Sequence, residues 1–163
     1  MKKKDIILIA GVVLVVLIAI FAMEGTRAQK IELPIALSGE ETGLLKIDYS
    51  TYESKIENND NFIIIIERTG CSYCEMYMPI VESVANSLAV PVYYIDTADL
   101  SQDEFNKLGE SNTYLKRNQW GTPTTLLMSG SSVLNSIGGY VEEDEFTSFI
   151  NDNIILEVTD VSE

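Results

Sequence analysis

Five apolar residues, Phe62 to Ile66, four of them isoleucine, follow the turn cluster Asn58-Asn59-Asp60-Asn61. A β-branched run this short reads as a strand. It shows no alternation with polar residues, so both of its faces must be covered. Such a strand is central in a sheet with helices on either side. That requirement alone makes the chain α/β and gives it three layers.

The flanking patterns fill in those layers. Leu44 to Tyr49 alternates apolar and polar, a short strand signal, and Ser50 with Glu53 reads as a capping box that starts a helix running to about Asn58. From Cys71 a helix fits, because Cys74, Met78, Val81, Ala85 and Leu88 recur at spacings of three and four. Pro79 lies inside it and should kink it. Val92 to Ile95 is a second strand, opened by Pro91 and ending at Asp96. Ser101 with Glu104 is a further capping box, for a helix that carries Phe105 and Leu108, and Thr113 to Asn118 forms another turn of helix. Thr124 to Met128 is a third strand. The tight turn "SGSS" folds Ser132 to Ile137 back onto it, Gly138-Gly139 ends that strand, and a last helix carries Phe146, Phe149, Ile150 and Ile154. The order is β-α-β-α-β-α-β-β-α: parallel pairs across the helices and an antiparallel closing hairpin, hence a mixed sheet.

Ahead of this domain, Ile6 to Met23 contains no charged or strongly polar residue. Its eighteen residues rise about 27 Å as a helix, enough to span a bilayer core. A cleaved secretory signal is the competing reading. Its apolar region is normally shorter, and "AMEGTRAQK" makes a poor cleavage site. Lys2, Lys3 and Lys4 stand before the run, against Arg27 and Lys30 after it, which orients the amino end to the cytoplasm. The expected organisation is a cytoplasmic tail at 1–5, a transmembrane anchor at 6–23, a linker at 24–43, a domain at 44–155 and a tail at 156–163. The domain would then lie outside the cytoplasm, where disulfide chemistry is at home. The net charge of −14 excludes nucleic acid as a partner and keeps the domain soluble.

The only two cysteines, Cys71 and Cys74, follow the central strand in "ERTGCSYCEMYMPI". A metal clip needs further ligands, and the chain has no histidine. As a staple the pair would close too short a loop to restrict the unfolded chain much. Inert thiols are a third reading. The redox reading has a mechanism. Residues three apart on a helix lie about 5–6 Å apart, within disulfide reach. Cys71 at the helix start faces free N–H groups and the positive dipole end, so its pKa should fall below the free value of about 8.5. Cys74, one turn in on the apolar stripe, is the more buried thiol. Cys71 would attack and Cys74 would resolve the mixed disulfide.

At this point the chain resembles the thioredoxin family, specifically small membrane-tethered extracytoplasmic bacterial members. Beyond C-x-x-C after a buried strand, the resemblance rests on Pro79 five residues after Cys74, on Gly121-Thr122-Pro123-Thr124 ahead of a strand, on Gly138, and on "YYID". It implies a thioredoxin-like three-layer α/β/α sandwich with a mixed central sheet, here preceded by one N-terminal transmembrane helix. It also implies a cis Thr122–Pro123 bond, with the Thr122 backbone beside the cysteines to pair with an extended substrate segment. The activity implied is thiol–disulfide exchange, which needs no dissociable cofactor and no metal. Its substrates would be exported proteins or peptides, and a further redox partner would recharge the dithiol. Gram-positive proteins of this kind look like accessory factors for exported peptides such as bacteriocins. The alternative is a noncatalytic peptide-binding module with idle cysteines.

Some positions depart from the family pattern. The buried Asp usual six residues before the first Cys is Ile65 here; Glu67, on the same sheet face, is the candidate substitute for proton transfer, and an exposed strand-end charge is the plainer reading. Gly70 replaces the usual aromatic, and Ser72 and Tyr73 stand between the cysteines, so the potential is bounded only by the family range of about −270 to −120 mV. Trp120 is a candidate rim of the substrate groove or simple packing. Tyr73 and Tyr77 are candidates for an apolar collar at Cys71 or ordinary surface aromatics, Met76 and Met78 read as core fillers, and Arg68 is a candidate aid to the thiolate or a solvated strand-end charge.

Overall fold

The isoleucine run builds both sides of the protein. The computed structural model describes residues 32–117 and 119–156, and in it Asn61–Glu67 is β2 of a five-stranded sheet. Phe62, Ile64 and Ile66 face one layer and Ile63 and Ile65 the other, all of them buried. The remaining strands are β1 (Gly43–Lys46), β3 (Pro91–Asp96), β4 (Thr124–Ser129) and β5 (Ser132–Gly138). Their order is β1-β3-β2-β4-β5. β3 runs parallel to β1 and β2, and β4 runs antiparallel to β2 and β5, so the sheet is mixed.

Among the described residues, five helices cover it: α1 (Tyr49–Glu57), α2 (Ser72–Ser87), α3 (Gln102–Glu110), α4 (Thr113–Arg117) and α5 (Glu143–Asn153). On one face, Tyr77, Val81, Val84 and Ala85 of α2 and Phe146, Phe149 and Ile150 of α5 pack on Ile63, Ile65, Val92 and Leu127. On the other, Tyr49 and Tyr52 of α1, Leu108 of α3 and Leu115 of α4 cover Phe62, Ile64, Ile66, Tyr93 and Leu126. Ser101 and Glu104 cap α3 reciprocally, as the capping box required.

Three sequence expectations are corrected. The strand expected over Leu44–Tyr49 stops at Lys46, and α1 starts at Tyr49 without a Ser50–Glu53 box. The reason is Asp48, whose carboxylate accepts the Thr51 amide at 2.8 Å and caps the helix two residues early. Met76, read as core, is 55% exposed, because it falls on the outer face of α2. The described part of the expected linker, from Glu32, is built into the domain. Ile35 is buried beside Ile154, its amide donates to the Asn153 carbonyl at 2.9 Å, and the Ile155 amide returns to the Ile35 carbonyl at 2.8 Å. A single bridging residue has no period, so the sequence pattern does not reveal it. The expected anchor at 6–23, the tail at 1–5 and residues 157–163 lie outside the described residues. Among the described residues, no helix is long and apolar enough to cross a membrane.

Candidate active site

The end of β2 delivers the two cysteines. After Glu67 the chain turns through Arg68, Thr69 and Gly70, and the Cys71 amide donates back to the Arg68 carbonyl at 3.1 Å. Gly70 has φ +79°, the left-handed region, and a Cβ there would meet nothing within 4 Å. Backbone conformation, not space, therefore selects glycine at this position. Cys71 is the N-cap of α2: its Sγ accepts the Cys74 amide at 3.3 Å. Cys74 lies one turn inside the helix, buried, with its Sγ 2.7 Å from that of Cys71. Both are free thiols.

The two sulfurs are electrostatically unequal. Partial burial opposes ionisation of Cys71, but hydrogen bonds from the Cys74 thiol, the Thr122 side chain and the Cys74 and Tyr73 amides outweigh it and lower its pKa. Cys74 is pushed up to about 11, first by burial and then by its hydrogen bond to Cys71. One thiol is thus prepared as a thiolate and the other holds its proton and donates it.

The segment before β4 closes the other side. The Thr122–Pro123 peptide is cis. The Cys71 thiol, when protonated, donates to the Thr122 carbonyl at 3.3 Å. The Gly139 amide donates to the Pro123 carbonyl at 2.9 Å and ties this loop to the end of β5. Pro123 is buried and Thr122 half-buried beside the dithiol, while Ser72 and Tyr73 stand exposed on the first turn of α2.

Glu67 is not an exposed strand-end charge. It is only 9% exposed, and it lines an open cleft of about 530 Å³ together with Arg68, Cys74, Glu75 and Glu82. Burial, and then the charge of Asp96, raise its pKa. Arg68 is exposed on the rim of the same cleft and, among the described residues, joins no ion pair. Tyr77, expected near Cys71, is instead fully buried, with its hydroxyl 3.1 Å from that of Thr125, because three residues after Cys74 it falls on the same inward face of the helix. Trp120 is half-buried and packs on Phe105 with ring centroids 5.7 Å apart. One residue next to the site escaped the sequence reading. Asp96, taken only as a strand end, holds Thr69 of the cysteine turn through both carboxylate oxygens. Nothing local in the sequence marks it, because the Glu67–Asp96 register exists only once β3 lies beside β2.

No protein-family model matches the sequence, and no curated protein does. Solved structures do match. A thioredoxin from Nicotiana alata superposes with a TM-score of 0.51 at 18% identity, over 70% of this chain and 95% of that one. A mutant thioredoxin from Halobacterium salinarum gives 0.52 at 21%, over 70% and 93%. The fold is that of the thioredoxins. A thioredoxin f2 in complex with ferredoxin:thioredoxin reductase shares this thioredoxin fold, with a TM-score of 0.53 at 11% identity over 69% and 96%. On this thioredoxin fold, both cysteines and the cis-proline loop meet at the N-terminus of α2.

Proposed function

We propose that the protein is a thiol–disulfide oxidoreductase, held to a membrane by Ile6–Met23 with its domain outside the cytoplasm, that acts on exported proteins or peptides. The observation that carries the activity is the Cys71 sulfur at the helix end, within 2.7 Å of a buried Cys74 thiol. In the reducing direction the Cys71 thiolate attacks one sulfur of a substrate disulfide. That bond breaks, a mixed disulfide forms, and the released substrate thiolate takes a proton. Cys74 then loses its proton and attacks Cys71, releasing the second substrate thiol. Two electrons have passed to the substrate, and the protein holds a Cys71–Cys74 disulfide. In the oxidising direction the same steps run backward. A separate redox protein resets the pair; the complex of a similarly folded thioredoxin with its reductase supports a partner of that kind. An extended substrate segment would lie along Thr122 and Pro123, strand to strand, with Ser72, Tyr73 and Trp120 at its borders. The membrane placement rests on the apolar run and the lysines before it.

The pH dependence tests the activity. The alkylation rate of reduced protein should follow a midpoint below the value of about 8.5 for free cysteine, falling tenfold per pH unit beneath it. Mild oxidant should close the internal disulfide, and its potential in glutathione buffers should lie between about −270 and −120 mV and set the direction of electron flow. A thiol no more reactive at pH 7 than free cysteine, together with no internal disulfide, overturns the reading in favour of passive peptide binding.

Cys74, whose pKa burial raises, needs a base to become a nucleophile near neutral pH. Glu67 shares the cleft with it, and the cleft carries the charged side chains of Arg68, Glu75 and Glu82 and is large enough for bridging water. Glu67 is therefore assigned as proton acceptor for the resolving step. Glu67→Gln should slow release of the mixed disulfide by about tenfold at pH 7 and leave Cys71 alkylation unchanged, with the deficit shrinking as hydroxide takes over at high pH. A stopped-flow pH profile identical to wild type would remove Glu67 from the mechanism.

A further inference from the structure

Two carboxylates end adjacent strands, Glu67 on β2 in register with Asp96 on β3. They are used differently. Asp96 is buried, 3% exposed, and among the described residues no ion pair includes it. Its oxygens are instead filled by donors from two connections. Oδ1 accepts the Thr69 amide at 3.0 Å and the Ala98 amide at 2.9 Å, and Oδ2 accepts the Thr69 hydroxyl at 2.5 Å. These bonds keep its carboxyl ionised: burial opposes the charge, but the Thr69 and Ala98 donors outweigh burial and lower the pKa.

The Ala98 bond is local, two residues along the chain from Asp96. The two bonds to Thr69 reach across to the turn that carries Cys71. Thr69 is exposed, so packing does not hold it. Gly70 next to it has open space around it and a left-handed backbone. The turn also leans on the neighbouring loop, where the Thr97 amide and hydroxyl both donate to the Glu67 carbonyl at 2.9 Å. Two residues after Thr69, the Cys71 sulfur must stay over the first amides of α2 to keep the Cys74 N–H bond at 3.3 Å. Charge-assisted hydrogen bonds to backbone and hydroxyl are strong enough to fix such a turn.

We propose that Asp96 is a positioning residue for the redox pair: through Thr69 it clamps the Arg68–Cys71 turn so that the Cys71 sulfur sits over the N-terminus of α2. This rests on Cys71 being the attacking thiol. The sign of the effect separates the clamp from plain electrostatics. Asp96 is an anion, so if it acted only through its charge, neutralising it would ease ionisation of Cys71. If it acts as a clamp, neutralising it lets the sulfur drift from the helix end and hinders ionisation.

The experiment measures iodoacetamide alkylation of the reduced full-length protein against pH, for wild type, Asp96→Asn, Thr69→Val and Thr69→Ser. Asp96→Asn and Thr69→Val should move the midpoint upward and slow alkylation at pH 7 by about fivefold. Thr69→Ser, which keeps hydroxyl and amide, should stay within about twofold of wild type. The double variant Asp96→Asn/Thr69→Val should be no slower than Asp96→Asn alone, since Thr69→Val removes the hydroxyl half of the same clamp. A midpoint that is unchanged or lower in Asp96→Asn and Thr69→Val overturns the proposal. Thr69 is exposed, so Thr69→Val decides the matter even if Asp96→Asn fails to fold. A wild-type midpoint equal to that of free cysteine counts against the oxidoreductase reading instead, and the clamp is judged on the shift in the variants.

Discussion

Cys71→Ser should lower turnover of a protein disulfide by more than about a thousandfold, because a serine hydroxyl at this helix end remains protonated at neutral pH and cannot exchange with sulfur. Cys74→Ser should behave differently. Its Cys71 thiolate still attacks, but the mixed disulfide has no internal sulfur to resolve it, and the covalent complex should accumulate as a band on nonreducing gels. The asymmetry follows from the geometry: Cys71 is half-buried at the N-cap, whereas Cys74 is buried behind it. Equal accumulation with the two variants would mean that either thiol can attack, against the unequal acidities. Turnover that persists in Cys71→Ser would remove the dithiol from the chemistry altogether.

Phe62→Ala should destabilise the domain by about 3–5 kcal/mol, a large share of the roughly 5–15 kcal/mol that keeps such a domain folded. Phe62 is completely buried and packs edge-to-face against Tyr52 and Tyr93, with ring centroids 6.1 and 6.5 Å away. Removing the ring leaves a cavity between α1 and the sheet, where stiff neighbours on β2 cannot collapse to fill it. The check is urea unfolding, with a lower midpoint and an unchanged slope. Phe62 is the second residue of β2, while the cysteine turn follows its last residue, so the folded variant should keep the wild-type alkylation midpoint. A loss below about 1 kcal/mol would mean that this layer repacks freely.

The frame was legible because its signals are short-range. An unbroken β-branched run admits a two-sided strand and little else, and helix-spaced apolar residues after Cys71 admit one buried face. From these come the mixed sheet, its two helical layers and the unequal burial of the cysteines. Resemblance added the Thr122–Pro123 loop, which spacing alone would have left as an ordinary strand start. Local signals also compete: Ser50 with Glu53 has the pattern of a capping box, yet Asp48 reaches the amide first. Met76 and Tyr77 exchanged expected places, because near the helix start a rotation of one residue carries a side chain from solvent to core.

What the chain's order of residues could decide was the layering and which sulfur faces out, since periodicity and a helix terminus act within a few neighbours. Which carboxylate faces the cleft, which one grips Thr69, and how Ile35 joins the edge of the core depended on strands brought together in space. The partners involved, such as Asp96 and Thr69 at 2.5 Å or Ile35 and Asn153 at 2.9 Å, are far apart along the chain. No local pattern encodes such pairings; they exist only once β3 lies beside β2 and α5 has closed over the sheet.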